Sequence, residues 1–181
     1  MRVIAGKAKG RRLASVPGEG TRPITDRTKE SLFNILAGEV EDARVLDLFA
    51  GTGSVGIEAL SRGAREVWFV EREWKALQVI RANLQTTGFT GQARAIRQDV
   101  FKFIRRAAGR ERFDIIYVAP PQYMGLWAKA LQELDELDLL ESGGVVIAQI
   151  HPKEYAELAL KTLHLEDQRR YGSTILCFYR Q

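Results

Sequence analysis

The chain has 181 residues, 45% hydrophobic and 28% charged, with a net charge of +4. That length suits one domain with a sizeable core, and no apolar run approaches the roughly 20 residues a membrane span needs. The single cysteine, Cys177, excludes an internal disulfide and a multi-cysteine metal site.

Cys177 lies in the apolar run Ile175–Phe178 and reads as a small core residue. No metal is expected. The N-terminus lacks the apolar stretch of a signal peptide, so a cytoplasmic location is expected. The charge is unevenly placed. Residues 1–29 carry eight Lys or Arg against two acids, whereas the remainder carries 19 basic and 21 acidic residues. A basic N-terminal arm over 1–29 and a folded core over 30–181 follow, together one domain over 1–181. Arg2, Lys7, Lys9, Arg11, Arg12, Arg22 and Arg27 are the candidate contacts to nucleic acid, where such side chains neutralise phosphates and release counterions. A solvated, solubilising tail is the competing explanation.

In chain order, Arg2–Ala5 and Arg11–Ser15 predict a small hairpin, and Val16–Gly20 a loop. Thr25 or Asp26 can cap a helix running to about Ala37 and ended by Gly38. Strand and helix then alternate. Strands are predicted at Arg44–Phe49, Glu66–Glu71, Ala93–Gln98, Phe113–Val118 and Gly144–Ile150. Helices are predicted at Ser54–Arg62, Glu73–Thr87, Val100–Ala108, Met124–Leu137 and Lys153–Thr162. Strands at Leu165–Arg169 and Thr174–Tyr179 close the chain, with too little sequence between them for a helix, so they form an antiparallel hairpin. This rhythm predicts an α/β fold with a mostly parallel sheet covered on both faces.

The first of these strands runs into Asp47-Leu48-Phe49-Ala50-Gly51-Thr52-Gly53-Ser54-Val55-Gly56. Gly51, Gly53 and Gly56 fit G-x-G-x-x-G between a strand and a helix, where a ligand can lie against bare backbone. The site falls at the carboxyl end of a parallel strand, where open α/β sheets bind ligands. The glycines alone do not separate a dinucleotide from S-adenosylmethionine. Asp47, four residues before Gly51, favours a cationic ligand over a pyrophosphate. Glu71 ends the second strand and can accept from both ribose hydroxyls, as it also would in a dinucleotide enzyme. Asp99 can accept from an adenine amine or cap the helix that follows it.

The fourth strand leads into Ala119-Pro120-Pro121-Gln122-Tyr123. The prolines fix the backbone beside the glycine loop and aim the carbonyls of Ala119 and Pro120 into the cleft. Tyr123 can stack on an extruded base or pack at a helix start. Methylation of an exocyclic amine calls for acceptors that bind its N–H groups and favour a pyramidal nitrogen.

The segments Arg22–Arg27, Glu30–Asn34, Asp47–Gly53, Glu58–Ala64, the proline turn and Tyr171–Thr174 together resemble the bacterial 16S ribosomal RNA guanine N2-methyltransferases of the small subunit, over essentially the whole chain. The resemblance implies a Rossmann-like class I methyltransferase fold with a seven-stranded, mostly parallel sheet, an antiparallel C-terminal hairpin, and a small N-terminal hairpin and helix. It implies S-adenosylmethionine as donor, and 16S rRNA or the small ribosomal subunit as partner. Apart from the resemblance, a soluble monomer is expected. Asp47, Phe49, Gly51, Gly53, Glu71 and Asp99 would then bind the cofactor. Ala119, Pro120, Pro121, Gln122 and Tyr123 would form the catalytic turn. One departure stands out: the family places Asp or Asn directly before the two prolines, and here Ala119 occupies that position. The rival readings are a cofactor- and RNA-binding protein with a degenerate catalytic turn, a methyltransferase for another nucleic acid, and an NAD-dependent oxidoreductase.

Overall fold

Alternation along short apolar runs builds the centre of the molecule. Residues of a strand point to opposite faces in turn, so a run such as Phe113–Val118 feeds two cores at once. In the computed structural model, which describes residues 1–18 and 24–181, seven strands form one sheet in the order β3-β2-β1-β4-β5-β7-β6. They are β1 (Arg44–Leu48), β2 (Glu66–Glu71), β3 (Ala93–Arg97), β4 (Phe113–Val118), β5 (Leu140–Ile150), β6 (His164–Tyr171) and β7 (Thr174–Arg180). The pairs among β1 to β5 are parallel, while β7 runs antiparallel to β5 and β6 antiparallel to β7. This is the seven-stranded, mostly parallel sheet with an antiparallel C-terminal hairpin that the resemblance implies.

The helices are α1 (Asp26–Leu36), α2 (Ser54–Ser61), α3 (Trp74–Thr87), α4 (Val100–Ala107) and α5 (Leu126–Glu136). On one face, Val45, Val67, Phe69, Ile115, Tyr117, Val145 and Ile147 pack with Leu32 and Phe33 of α1, Val55 and Ile57 of α2, and Ile80 of α3. On the other, Leu46, Leu48, Trp68, Val70, Ile116, Val118 and Val146 pack with Phe103 and Ile104 of α4 and Leu131 and Leu134 of α5. Fully burying one such Leu, Ile or Phe contributes about 1.5–3 kcal/mol, so the sheet is held from both sides. Among the described residues, no helix is long and apolar enough to cross a membrane. Cys177 is free and fully buried in the second core.

One expected element differs. The helix predicted at Lys153–Thr162 does not form; a single 3-10 turn, Pro152–Glu154, is followed by irregular chain up to β6. Asp135 on α5 holds the end of this stretch. Its carboxylate accepts from the N–H groups of Lys161 (2.7 Å), Thr162 (2.8 Å) and Leu163 (2.8 Å). These bonds take successive amides out of any helical ladder. They also hold the Asp135 carboxyl down, to about 2, against the opposing effect of desolvation.

The predicted N-terminal hairpin forms as a short pairing: Arg2 bridges Arg12, and Val3 N–H donates to Arg11 O (2.9 Å), Gly10 N–H to Val3 O (2.9 Å) and Leu13 N–H to Met1 O (3.1 Å). Other donors of this segment turn to α2. Ile4 and Ala5 donate to the Glu58 carboxylate at 2.8 and 3.0 Å, and Ala8 donates to Ser61 Oγ at 2.9 Å. The basic segment is therefore seated on the core, with Val3, Ala8, Leu13 and Val16 buried. Gly6 permits the close approach: its φ is +80°, and a Cβ there would meet the Ser61 carbonyl at 1.7 Å.

Candidate active site

The parallel register brings the carboxyl ends of the strands to one edge. Leu48, the last residue of β1, is paired with Val70 of β2 and Val118 of β4, so the glycine loop, Glu71 and Ala119 leave the sheet side by side. The crossover from β1 to β4 is where the strand order reverses, the position at which a ligand crevice opens in such sheets.

The loop is held by backbone donors. After β1 the chain turns through Phe49 (φ +60°), Gly51 (φ +54°) and Gly53 (φ +74°). A non-glycine residue in that region stores on the order of 1 kcal/mol of strain, and Phe49 is retained there by an edge-to-face contact with Phe101 at 6.1 Å. Gly51 N–H donates to Glu71 Oε2 at 2.9 Å, and Glu73 N–H to Oε1 at 2.8 Å. A carboxylate has about four lone-pair positions, so Glu71 keeps acceptor capacity for ribose hydroxyls. Gly56 has a different duty from the other two glycines. A Cβ there would lie 2.3 Å from Phe69 Cε1, so its absence lets α2 press onto β2.

Asp47 is turned inward, only 2% exposed, where its Oδ2 accepts from Gly56 N–H at 3.1 Å. Burial pushes its carboxyl up to about 8; the Gly56 bond opposes this and the Glu71 charge adds to it. Asp47, expected to favour a cationic ligand, thus lies behind the loop, which it ties to α2. Asp99 Oδ1 accepts from Lys102 N–H at 3.0 Å and caps α4. That bond leaves its second oxygen for a ligand.

The proline turn lies beside the loop. Ala119 N–H reaches Leu48 O at 3.4 Å, extending the ladder one residue past β4. Ala119 and Pro120 are half-buried, whereas Pro121, Gln122 and Tyr123 are exposed, Tyr123 at 64%. Tyr123 has a φ of +62° and faces the His151 ring at 5.5 Å. Beneath this edge, Tyr117 donates to Gln149, and burial raises its phenol well above the usual value.

The basic residues divide. Lys7, Lys9, Arg11, Arg12 and Arg27 are exposed, and Arg2 is exposed while bonding Asp26 at 3.2 Å. Arg22 lies outside the described residues. Arg27 lines an open cavity of about 270 Å³ with Thr25, Thr28, Arg170, Tyr171 and Gly172. Because Ile150 of β5 pairs with Ile175 of β7, and Arg170 near the end of β6 pairs with Ile175 from the other side, the β6–β7 turn returns to the same edge as the proline turn.

Three polar residues that hold this region were not singled out from sequence. Glu58 is fully buried and paired with Lys29 Nζ at 3.6 Å and Arg62 Nε at 2.8 Å, and burial lowers the Lys29 amine below its usual value. Asn83 exchanges bonds with Ala14 (2.8 and 3.1 Å) and donates to Thr52 O at 3.0 Å, joining the N-terminal segment to the glycine loop. Asn83 had a signal: it falls on the apolar stripe of α3 with Ala76, Leu77, Ile80 and Leu84. Glu154, on the turn after β5, accepts from Tyr123 N–H and had none, since that stretch was expected to be helical.

Among the described residues, no group of His, Cys, Asp or Glu is arranged to hold a metal ion. Residues 1–180 match the family model described as Conserved hypothetical protein 95. The chain is 42% identical to the Bacillus subtilis protein named "Putative rRNA methyltransferase YlbH", covering 100% of this chain and 99% of the relative. It is 34% identical to the Haemophilus influenzae protein named Ribosomal RNA small subunit methyltransferase D, covering 94% and 93%. A solved Escherichia coli structure, "Putative methyltransferase yhhF", superposes with a TM-score of 0.88 at 31% identity, covering 100% of this chain and 97% of that one. The chain thus belongs to the Conserved hypothetical protein 95 family, that of the bacterial small-subunit ribosomal RNA methyltransferases.

Proposed function

We propose that the chain is a single methyltransferase domain that transfers a methyl group from S-adenosylmethionine to the exocyclic N2 amine of a guanine in 16S rRNA. The observation that carries this reading is the sheet edge itself. A glycine loop braced by Asp47 and Glu71 lies directly beside a proline turn, with an exposed Tyr123 and a cavity bearing Arg27 and Arg170 near by. The names of the relatives, ribosomal RNA methyltransferases, support the same chemistry.

S-adenosylmethionine supplies a methyl group on a positively charged sulfur. The glycine loop accommodates such a ligand against bare backbone, with Phe49 at its start, while Glu71 and Asp99 offer acceptors to ribose and adenine. On the acceptor side, the carbonyls of Ala119 and Pro120 and the amide of Gln122 bind amine N–H groups, and Tyr123 gives a face for the base to stack on. Bringing amine and methyl into line supplies much of the rate, on the order of 7 kcal/mol or more in well-oriented reactions. Arg2, Lys7, Lys9, Arg11, Arg12, Arg22 and Arg27 bind the RNA backbone.

The test is incubation with methyl-labelled S-adenosylmethionine and small subunits that lack this modification, followed by mapping of the label. Label on the N2 of one guanine is the expected outcome. Calorimetric cofactor binding without any label would favour the second reading, a binding protein with a degenerate turn, for which Ala119 is the specific support.

A further inference from the structure

The turn between β4 and α5 is anchored from one direction. It contains two left-handed residues, Tyr123 (φ +62°) and Gly125 (φ +65°). Among the described residues, apart from Lys129 N–H of α5 donating to Gly125 O at 3.3 Å, one hydrogen bond from another element reaches segment 120–125: Tyr123 N–H donates to Glu154 Oε1 at 2.5 Å. The Tyr123 ring also lies against His151, tilted by 41°. His151 and Glu154 belong to the one-turn helix after β5, where His151 Nδ1 accepts from Lys153 N–H at 3.1 Å and His151 O accepts from Glu154 N–H at 2.9 Å. Since Val118 of β4 is paired with Ala148 of β5, the two turns leave the sheet next to each other. Glu154 is half-buried and brings a carboxylate to a turn whose own first residue, Ala119, has no polar side chain.

We propose that Glu154 carries, at the acceptor site, the carboxylate function that Ala119 lacks: Oε1 fixes Tyr123, and Oε2 accepts an N–H of the target amine. This rests on the guanine-amine reading above. As the N2 lone pair forms the bond to the methyl carbon, the carbon–sulfur bond breaks with its electron pair going to sulfur, and positive charge grows on the nitrogen until its proton leaves to water. A carboxylate accepting that N–H is a charge-assisted partner, about twice as strong as a neutral acceptor. Its effect increases as the transition state is approached, which is the condition for raising rate rather than affinity. The bond to Tyr123 adds positioning, because a stacking ring on a left-handed residue needs a restraint to keep its direction.

The experiment compares wild type, Glu154→Gln, Glu154→Ala and each of these combined with Ala119→Asp, using labelled S-adenosylmethionine and unmodified small subunits. Cofactor affinity by calorimetry serves as the control for folding. Glu154→Gln keeps an oxygen for Tyr123 N–H but loses the charge. It is expected to lower kcat at least tenfold, with KM and cofactor affinity within twofold of wild type. Ala119→Asp is expected to restore at least a third of the wild-type kcat in that background. Glu154→Ala is expected to lose more; if it fails to fold, Glu154→Gln carries the test. A Glu154→Gln enzyme within twofold of wild type in kcat overturns the proposal, as does failure of Ala119→Asp to restore rate. Activity lost together with cofactor affinity also overturns it, since Glu154 would then only support the fold. A wild type that binds cofactor yet labels no guanine overturns the function reading itself, and is seen before any variant is compared.

Discussion

Asp47→Asn isolates the buried acid behind the glycine loop. In the folded chain the Asp47 carboxyl is fully sealed, and burial raises it from 3.8 to about 8. The unfolded chain ionises it near 3.8, so between those values the folded state holds the additional proton and stability falls as pH rises. The slope is about 1.4 kcal/mol per pH unit, and over a window of roughly four units the decline reaches at most on the order of 6 kcal/mol. Asn keeps an oxygen for Gly56 N–H and has no charge to desolvate. The stability difference between Asp47→Asn and wild type should therefore grow from pH 5 to pH 8, in favour of the variant, by at least about 2 kcal/mol. Urea midpoints at half-unit pH steps measure it, and groups common to both proteins cancel. A difference that stays constant across that range would refute the reasoning. The same picture predicts that a sulfonium and an ammonium bound near the loop favour the ionised acid. Cofactor binding at pH 7 should then release a proton, seen in calorimetry as a dependence on buffer ionisation enthalpy, and the Asn variant should release none.

Three further outcomes are expected. Lys29→Met removes one partner of an ion pair in which both side chains are 0% exposed, leaving Glu58 with Arg62 alone. The expected cost is about 3 kcal/mol in urea unfolding, with faster proteolysis within residues 1–18. Gly56→Ala drives a methyl to 2.3 Å from Phe69 Cε1 and 2.8 Å from Val67 Cγ1. A loss of roughly 1–3 kcal/mol in stability and weaker cofactor binding by calorimetry should follow. Arg27→Ala should lower RNA affinity and reduce the slope of log Kd against log salt by about 0.7–0.9, as for the loss of one phosphate contact, and an unchanged slope would remove Arg27 from the RNA surface.

Much of this fold is legible in residue order because its signals are local. The runs Glu66–Glu71 and Phe113–Val118 carry strand periodicity and emerge with the predicted bounds. Thr25 and Gly88 cap helices where their chemistry places them. The G-x-G-x-x-G spacing sets the loop between strand and helix for the same reason, since glycine admits the positive φ found at Gly51 and Gly53 at little steric cost.

Long-range hydrogen bonds decided the rest, and they leave no periodicity to read. Asp135 fixes the chain that leads into β6, where apolar spacing alone predicts the end of a helix. Glu58 and Ser61 take the donors of the N-terminal segment and turn an apparent free arm into part of the core. The direction of Asp47 is another such case: an acid at the end of a strand can face ligand or core, and only the closeness of α2, allowed by Gly56, turns it inward. Glu154 reaches Tyr123 across a gap of 31 residues because β4 and β5 are neighbours in the sheet. Composition, glycine spacing and apolar rhythm by themselves determined the strands, the five long helices and the edge where the glycine loop lies. Which polar side chains meet at that edge was decided only by strand order and register, because these set the distances between residues far apart in the chain.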